Sequence, residues 1–186
     1  MSVTNSIGPI IRNEKTADRR PNLTSLEVLV VQTGGIWLAV RATRVGRLRR
    51  YNPSDVIPSE TTSIPAFLGI IGSLGLPLLN LATLLDLESE SLGQEAQVLV
   101  MEHDGLAAGF VVEVAQEIER AELQTLRLLP PLIEELRLKP AIWALWQRTP
   151  ETLIPLVEPL SILTEAEWQL VMGTTNSSNP IQTEQQ

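Results

Sequence analysis

Short apolar runs broken by tight turns limit the folds open to this chain more than any other feature. Four pairs of runs predict β-hairpins, because each pair is rich in β-branched or large apolar residues and is joined by Gly, Pro or Asp-Gly turn residues. The paired runs are residues 25–33 with 36–41, 67–71 with 76–81, 97–102 with 106–112, and 141–146 with 152–157. The sequence therefore predicts a mainly β fold of about eight short strands.

Only short segments of the sequence favour helices. Thr164 and Glu167 have the spacing of a capping box, which predicts a C-terminal helix that ends at Met172. Two further short helices are predicted, one over residues 82–87 and one over residues 132–138, which follow a pair of prolines.

An arginine-rich segment follows the first predicted hairpin. Residues 41–50 contain five arginines around Val45 and Leu48. The i,i+3 spacing of these two apolar residues predicts one helical turn. Two interpretations stay open, namely a basic contact patch and a solvated edge on which arginine stems cover apolar surface.

Both ends of the chain are polar and lack apolar periodicity. Residues 1–22 and 173–186 predict disordered tails around one folded domain at residues 23–172. No apolar run approaches the roughly 18 residues that a membrane helix needs. Residues 1–22 also lack the apolar region of a secretory signal. We therefore expect a cytoplasmic protein that does not insert into a membrane.

Composition excludes several kinds of chemistry. The chain has no cysteine, one histidine and a formal net charge of −8. Disulfides, thiolate metal sites and histidine-rich sites are therefore ruled out. The net negative charge disfavours binding to nucleic acids. We expect no cofactor and no metal site.

The few candidates for catalysis have simpler structural interpretations. His103 and Asp104 lie at a predicted turn, where aspartate bonds to its own backbone. Glu113 and Glu117 have the i,i+4 spacing of one solvated helical face. Residues 134–135 are glutamates near the start of a predicted helix, where negative charge favours the helix dipole. The sequence predicts that the protein is not an enzyme.

Two tryptophans leave a choice open. Trp143 and Trp146 are three residues apart in a predicted strand, so they should face opposite sides. Either both cover core or interface surface, or one of them anchors a partner.

One segment is echoed later in the chain. Residues 76–85 and 154–163 both enter a strand through proline, carry Asn80 or Glu158 three residues further on, and continue into a leucine-rich turn. The echo indicates two related β modules.

Six stretches, in this order, resemble the CheW-like domain of bacterial chemosensory systems over residues 25–168. These stretches are residues 30–40, 68–71, 76–81, 98–102, 109–118 and 153–158. The resemblance implies two SH3-like, five-stranded β-barrel subdomains with short helices. It also implies a noncatalytic adaptor that couples a receptor to a CheA-type histidine kinase in chemotaxis or in surface or pilus motility.

The resemblance also implies where partners dock. Exposed apolar strand edges and the groove between the subdomains are the expected surfaces. Leu74 stands where the family carries an arginine, so an ion pair with a methyl-accepting chemoreceptor would be lost here, whereas binding to the kinase is still implied. The candidate contact residues are Val40, Val45, Leu48, Gly69, Leu74 and Gly75.

A second function stays open beside the adaptor. A β-barrel module of this size could sense a small molecule by binding a metabolite in the groove between the subdomains. That function requires a closed apolar pocket with a few converging polar groups.

Overall fold

The computed structural model describes residues 24–59, 63–88, 92–129 and 141–177. This described part of the chain forms twelve strands and two α-helices. The strands are β1 Ser25–Thr33, β2 Ile36–Arg41, β3 Val45–Arg50, β4 Val56–Ile57, β5 Phe67–Ile71, β6 Leu76–Asn80, β7 Gln97–His103, β8 Leu106–Val112, β9 Val114–Glu122, β10 Leu126–Leu128, β11 Ile142–Thr149 and β12 Thr152–Val157; the helices are α1 Leu81–Leu84 and α2 Glu165–Ser177.

The strands form two sheets. The first has the order β10-β11-β12-β2-β1-β9 and the second has the order β3-β7-β8-β6-β5-β4. All neighbouring strands are antiparallel except β12 with β2 and β6 with β8. The predicted mainly β fold with two β subdomains is confirmed. Each sheet has six strands where five were expected, because the short strands β10 and β4 extend one edge.

The two sheets repeat one arrangement. The first half of the chain gives the hairpin β1–β2 to the first sheet and β3 to β6 to the second, and the second half does the reverse. Leu78 of β6 pairs in parallel with Gly109, as Leu156 of β12 does with Ala39. The predicted echo between residues 76–85 and 154–163 therefore corresponds to equivalent strands of two related modules.

The core has three parts. The largest cluster lies between the sheets, and each sheet also encloses a smaller cluster of its own. Strand β1 contributes to two of them, because Val28 and Val30 face the core of the first sheet while Leu29 and Val31 face the core between the sheets. Burial on both faces explains why this strand is apolar without alternation.

The C-terminal helix is joined to the core as the sequence predicts. The Thr164 backbone N–H donates to the Glu167 carboxylate at 2.7 Å, which confirms the capping box. Trp168 is buried and its Nε1 donates to the Leu160 carbonyl oxygen at 3.1 Å. The helix continues to Ser177, past the predicted end at Met172. No helix in the described ranges is long and apolar enough to cross a membrane.

The helical turn predicted from Val45 and Leu48 is wrong, because both residues lie in strand β3. Val45 pairs with Met101 of β7 and Leu48 pairs with Leu99, since the register shifts between Val45 and Arg47. The bulge adds one residue to β3, so two apolar residues that are three apart point to the same face. The i,i+3 spacing, which is also typical of a helix, here results from a bulge in a strand.

Other helix predictions have mixed outcomes. The helical face predicted for Glu113 and Glu117 is wrong, because Glu117 lies in strand β9, which pairs with β1. Helix α1 is shorter than the predicted range 82–87. The helix predicted at residues 132–138 lies outside the described residues. So do residues 1–23 and 178–186, and the two tails stay predictions there.

Candidate docking groove between the two sheets

Strands β9 and β3 each form one edge of their sheet, and they lie on either side of one open groove. The groove has a volume of about 330 Å³. Its lining residues are Leu29, Ala42, Val45, Gly46, Arg47, Leu48, Gln116, Glu117 and Ile118. We call this set the inter-sheet groove. It contains two of the residues that the sequence predicts as contacts, Val45 and Leu48.

Two large apolar side chains of the groove are exposed. Leu48 in β3 is 42% exposed and Ile118 in β9 is 61% exposed. They hold equivalent positions, because Leu48 pairs with Leu99 of β7 and Ile118 pairs with Leu29 of β1. One exposed apolar residue on a surface is ordinary, but a matched pair lining one groove makes this groove the candidate docking surface.

The two walls of the groove carry opposite charge. Arg47 is exposed on the β3 wall and Glu117 is exposed on the β9 wall. Both edge strands are irregular at the groove. The register shifts between Val45 and Arg47 in β3, and it shifts in β9 between Ala115 and Ile118, the partners of Val31 and Leu29. A segment that fills this groove would therefore meet an apolar floor between a basic and an acidic rim.

The other four predicted contact residues do not line the groove. Val40 has no exposed surface and belongs to the core between the sheets. Gly69 has φ +137° and is buried against the Ile57 backbone. Leu74 is half-buried against the core of the second sheet, and Gly75, with φ +65°, ends the turn between β5 and β6. Of the six predicted contact residues, only Val45 and Leu48 line the groove.

A side-chain network holds the turn that carries Leu74. The Asp55 Oδ1 atom accepts a hydrogen bond from the Ser73 backbone N–H at 2.9 Å. Its Oδ2 atom accepts from the Ser73 hydroxyl at 2.6 Å and from Arg49 at 2.7 Å. The Gly72 N–H donates to the Asp55 carbonyl oxygen at 2.7 Å. The bonds from Ser73, helped by Arg49, hold the pKa of Asp55 below its ordinary value.

This lowered pKa predicts a pH dependence of stability. A carboxylate whose pKa is lower in the folded protein contributes stability above the unfolded pKa, and this stability is lost as the pH falls through the folded pKa. We therefore expect wild type to exceed Asp55→Asn in free energy of unfolding at neutral pH. The difference should shrink below the ordinary pKa of 3.8. Urea unfolding of both proteins at several pH values measures it, and a difference that stays constant down to about pH 3 would contradict the assignment.

Three of the residues considered for catalysis, Glu113, His103 and Asp104, make contacts at hairpin turns. The Glu113 carboxylate accepts a hydrogen bond at 2.7 Å from the Gly34 N–H in the first hairpin turn. Asp104 has φ +51° at the tip of the β7–β8 hairpin and lies 3.1 Å from His103. The other His103 ring nitrogen contacts Arg44. These contacts give each group a role in a turn. Residues 134–135 lie outside the described residues.

The two tryptophans of β11 both cover the first sheet. Trp146 is buried in the core of that sheet, and Trp143 packs against the same cluster. The Arg41 guanidinium lies 4.6 Å from the centre of the Trp143 ring, a distance suited to a cation–π contact. These contacts favour the first alternative, in which both tryptophans cover core surface.

Comparisons with known proteins give one family model and one similar fold. A family model described as CheW-like domain matches residues 27–167. Among solved structures, the crystal structure of the scaffolding protein TtCheW from Thermoanaerobacter tengcongensis is similar, with a TM-score of 0.58 and 16% sequence identity. The match covers 72% of this chain and 88% of that chain, and at this identity it concerns the fold alone. No curated protein matches the chain.

Proposed function

Because this chain belongs to the CheW-like domain family, we propose that it is a noncatalytic adaptor that couples a chemoreceptor to a CheA-type histidine kinase. Its output is chemotaxis or surface or pilus motility. The adaptor acts by holding two proteins together, so its function depends on contact surfaces. Binding to a histidine kinase and to the intracellular part of a receptor requires the cytoplasm.

The observation that carries this proposal is the matched pair Leu48 and Ile118 in the inter-sheet groove. Exposed apolar side chains on two facing edge strands suit the apolar face of an amphipathic helix, which docks in a groove through residues spaced three or four apart. Arg47 and Glu117 on opposite walls favour one orientation of a helix with complementary charges. We propose that a helix of the receptor occupies the groove.

The shape of the groove supports a protein partner over a metabolite. Small-molecule sites bury most of the ligand surface in a closed pocket. The inter-sheet groove is open to solvent and has exposed apolar residues on both walls. A protein segment can cover such a groove, because specific interfaces bury roughly 1,200 Å² or more in total.

Purified components test this proposal. The full chain is titrated with the regulatory domain of a CheA-type kinase and, separately, with the cytoplasmic fragment of a methyl-accepting receptor from the same source. We expect both to bind, with dissociation constants of about 10 µM or below. If a folded chain binds neither of them, the adaptor function is wrong.

A further inference from the structure

In each sheet, an ion pair joins the edge strand beside the groove to a segment near the opposite edge of the same sheet. In the second sheet, Arg49 of β3 lies 2.7 Å from Asp55 and donates to Ser73 at 2.9 Å, in the turn between β5 and β6. In the first sheet, Arg148 at the end of β11 donates to Glu119 of β9 at 2.6 and 3.1 Å. We call these contacts the seam ion pairs.

The edge-strand members of the two seam ion pairs hold equivalent positions but carry opposite charge. Arg49 pairs with Val98 of β7, and Glu119 pairs with Val28 of β1. Val98 lies two residues before Val100, which pairs with Gly109, and Val28 lies two residues before Val30, which pairs with Ala39. Val98 and Val28 therefore hold the same position in the two related hairpins. The edge strand therefore supplies the cation in one sheet and the anion in the other.

The seam ion pairs lie directly behind the groove. Arg49 follows Leu48 and Glu119 follows Ile118, so that in each strand the apolar side chain faces the groove and the charged one faces the seam. All four seam side chains are at least half-buried: 27% and 20% exposed for Arg49 and Asp55, and 35% and 25% for Arg148 and Glu119.

Strands β3 and β9 need such a restraint. Each pairs with a neighbour on one side only, and each is irregular where it borders the groove. An edge strand with a bulge bends more readily than a strand that is paired on both sides. We propose that the seam ion pairs are positioning residues, which fix the separation of β3 and β9 and so the width of the inter-sheet groove.

The absence of cysteine in the chain permits a direct test. Spin labels at Arg47→Cys and Gln116→Cys report the distance across the groove by pulsed electron resonance. We expect one narrow distance distribution in the otherwise unchanged chain and a broad one after Glu119→Gln. The charge exchange Glu119→Arg with Arg148→Glu should restore the narrow distribution, a rescue that a loss of general stability would not give.

Two further variants keep the result decisive. Asp55→Asn breaks the seam ion pair of the second sheet. It should broaden the same distance distribution while the ion pair of the first sheet is intact. Glu122→Gln makes the same chemical change in β9 at an exposed residue that has no ion pair within the described ranges, and it should leave the distance unchanged. Unchanged distances in Glu119→Gln and Asp55→Asn would overturn the inference, whatever the protein binds.

The effect on partners rests on the proposed function. We expect Glu119→Gln to weaken binding of the receptor fragment about tenfold, and the charge exchange to recover most of the loss. Broadened distances in a protein that binds no receptor would support the seam and contradict the proposed function. The two claims can therefore fail separately.

Discussion

Gly69→Ala should lower the free energy of unfolding by about 3 kcal/mol or more. A Cβ atom at this position would lie 2.3 Å from the carbonyl oxygen of Ile57 and 3.0 Å from its carbonyl carbon. Both are backbone atoms of β4, so relief requires that β4 separate from β5. The φ of +137° adds strain for any residue with a side chain. Urea unfolding of the purified variant measures the loss.

Gly75→Ala is the matched control for this prediction. Gly75 lies in the same hairpin at φ +65°, but nothing lies within 4 Å of the Cβ that the substitution would add. We expect a loss of about 1 kcal/mol, from backbone strain alone. Equal losses in the two variants would show that the contact with Ile57 is not what requires glycine at position 69. A much larger loss of free energy of unfolding in Gly69→Ala than in Gly75→Ala would show that the hairpin requires glycine at position 69 for its structure.

The second large effect is expected on binding. The double variant Leu48→Asp with Ile118→Asp should weaken binding of the receptor fragment at least about 100-fold, because both substitutions remove central apolar anchors and place charge in the interface. The free energy of unfolding should change by about 1 kcal/mol or less, since both side chains are already exposed in the free protein. Titration calorimetry and urea unfolding measure the two effects on the same samples.

The control for this variant carries the same two charges elsewhere. Leu153 in β12 is 56% exposed and Leu170 in α2 is 55% exposed, and neither lines the inter-sheet groove. Leu153→Asp with Leu170→Asp should therefore bind the receptor fragment as wild type does. If the control loses as much affinity as the groove variant, added negative charge is the cause and the groove is not the docking surface.

The strands of the four hairpins could be predicted from the sequence because their signals are local. Gly34 has φ +56° and Gly105 has φ +81°, as the turn chemistry requires. The edge strands β3 and β9 carry no such signal, because their pairing depends on distant strands. In both, a bulge replaces the alternation of apolar residues with a spacing of three, which is also typical of a helix.

The candidate site could be predicted in part. Val45 and Leu48 stand out as apolar residues among arginines, and the structure places both in the groove. Ile118 was missed because it lies among the acidic residues of β9, and only its equivalence to Leu48 in the other module singles it out. Val40 and Gly69 belong to stretches that resemble the family, but burial and close backbone contact explain those residues without a partner.

Amide hydrogen exchange with and without the bound receptor fragment tests the central claim most directly. If a receptor helix fills the inter-sheet groove, exchange should slow in β3 and β9, the two strands that line it. Exchange in β12, whose exposed Leu153 lies outside the groove, should be unchanged. Slowed exchange confined to other strands, or to the turn that carries Leu74, would contradict the account and place the receptor on a different surface.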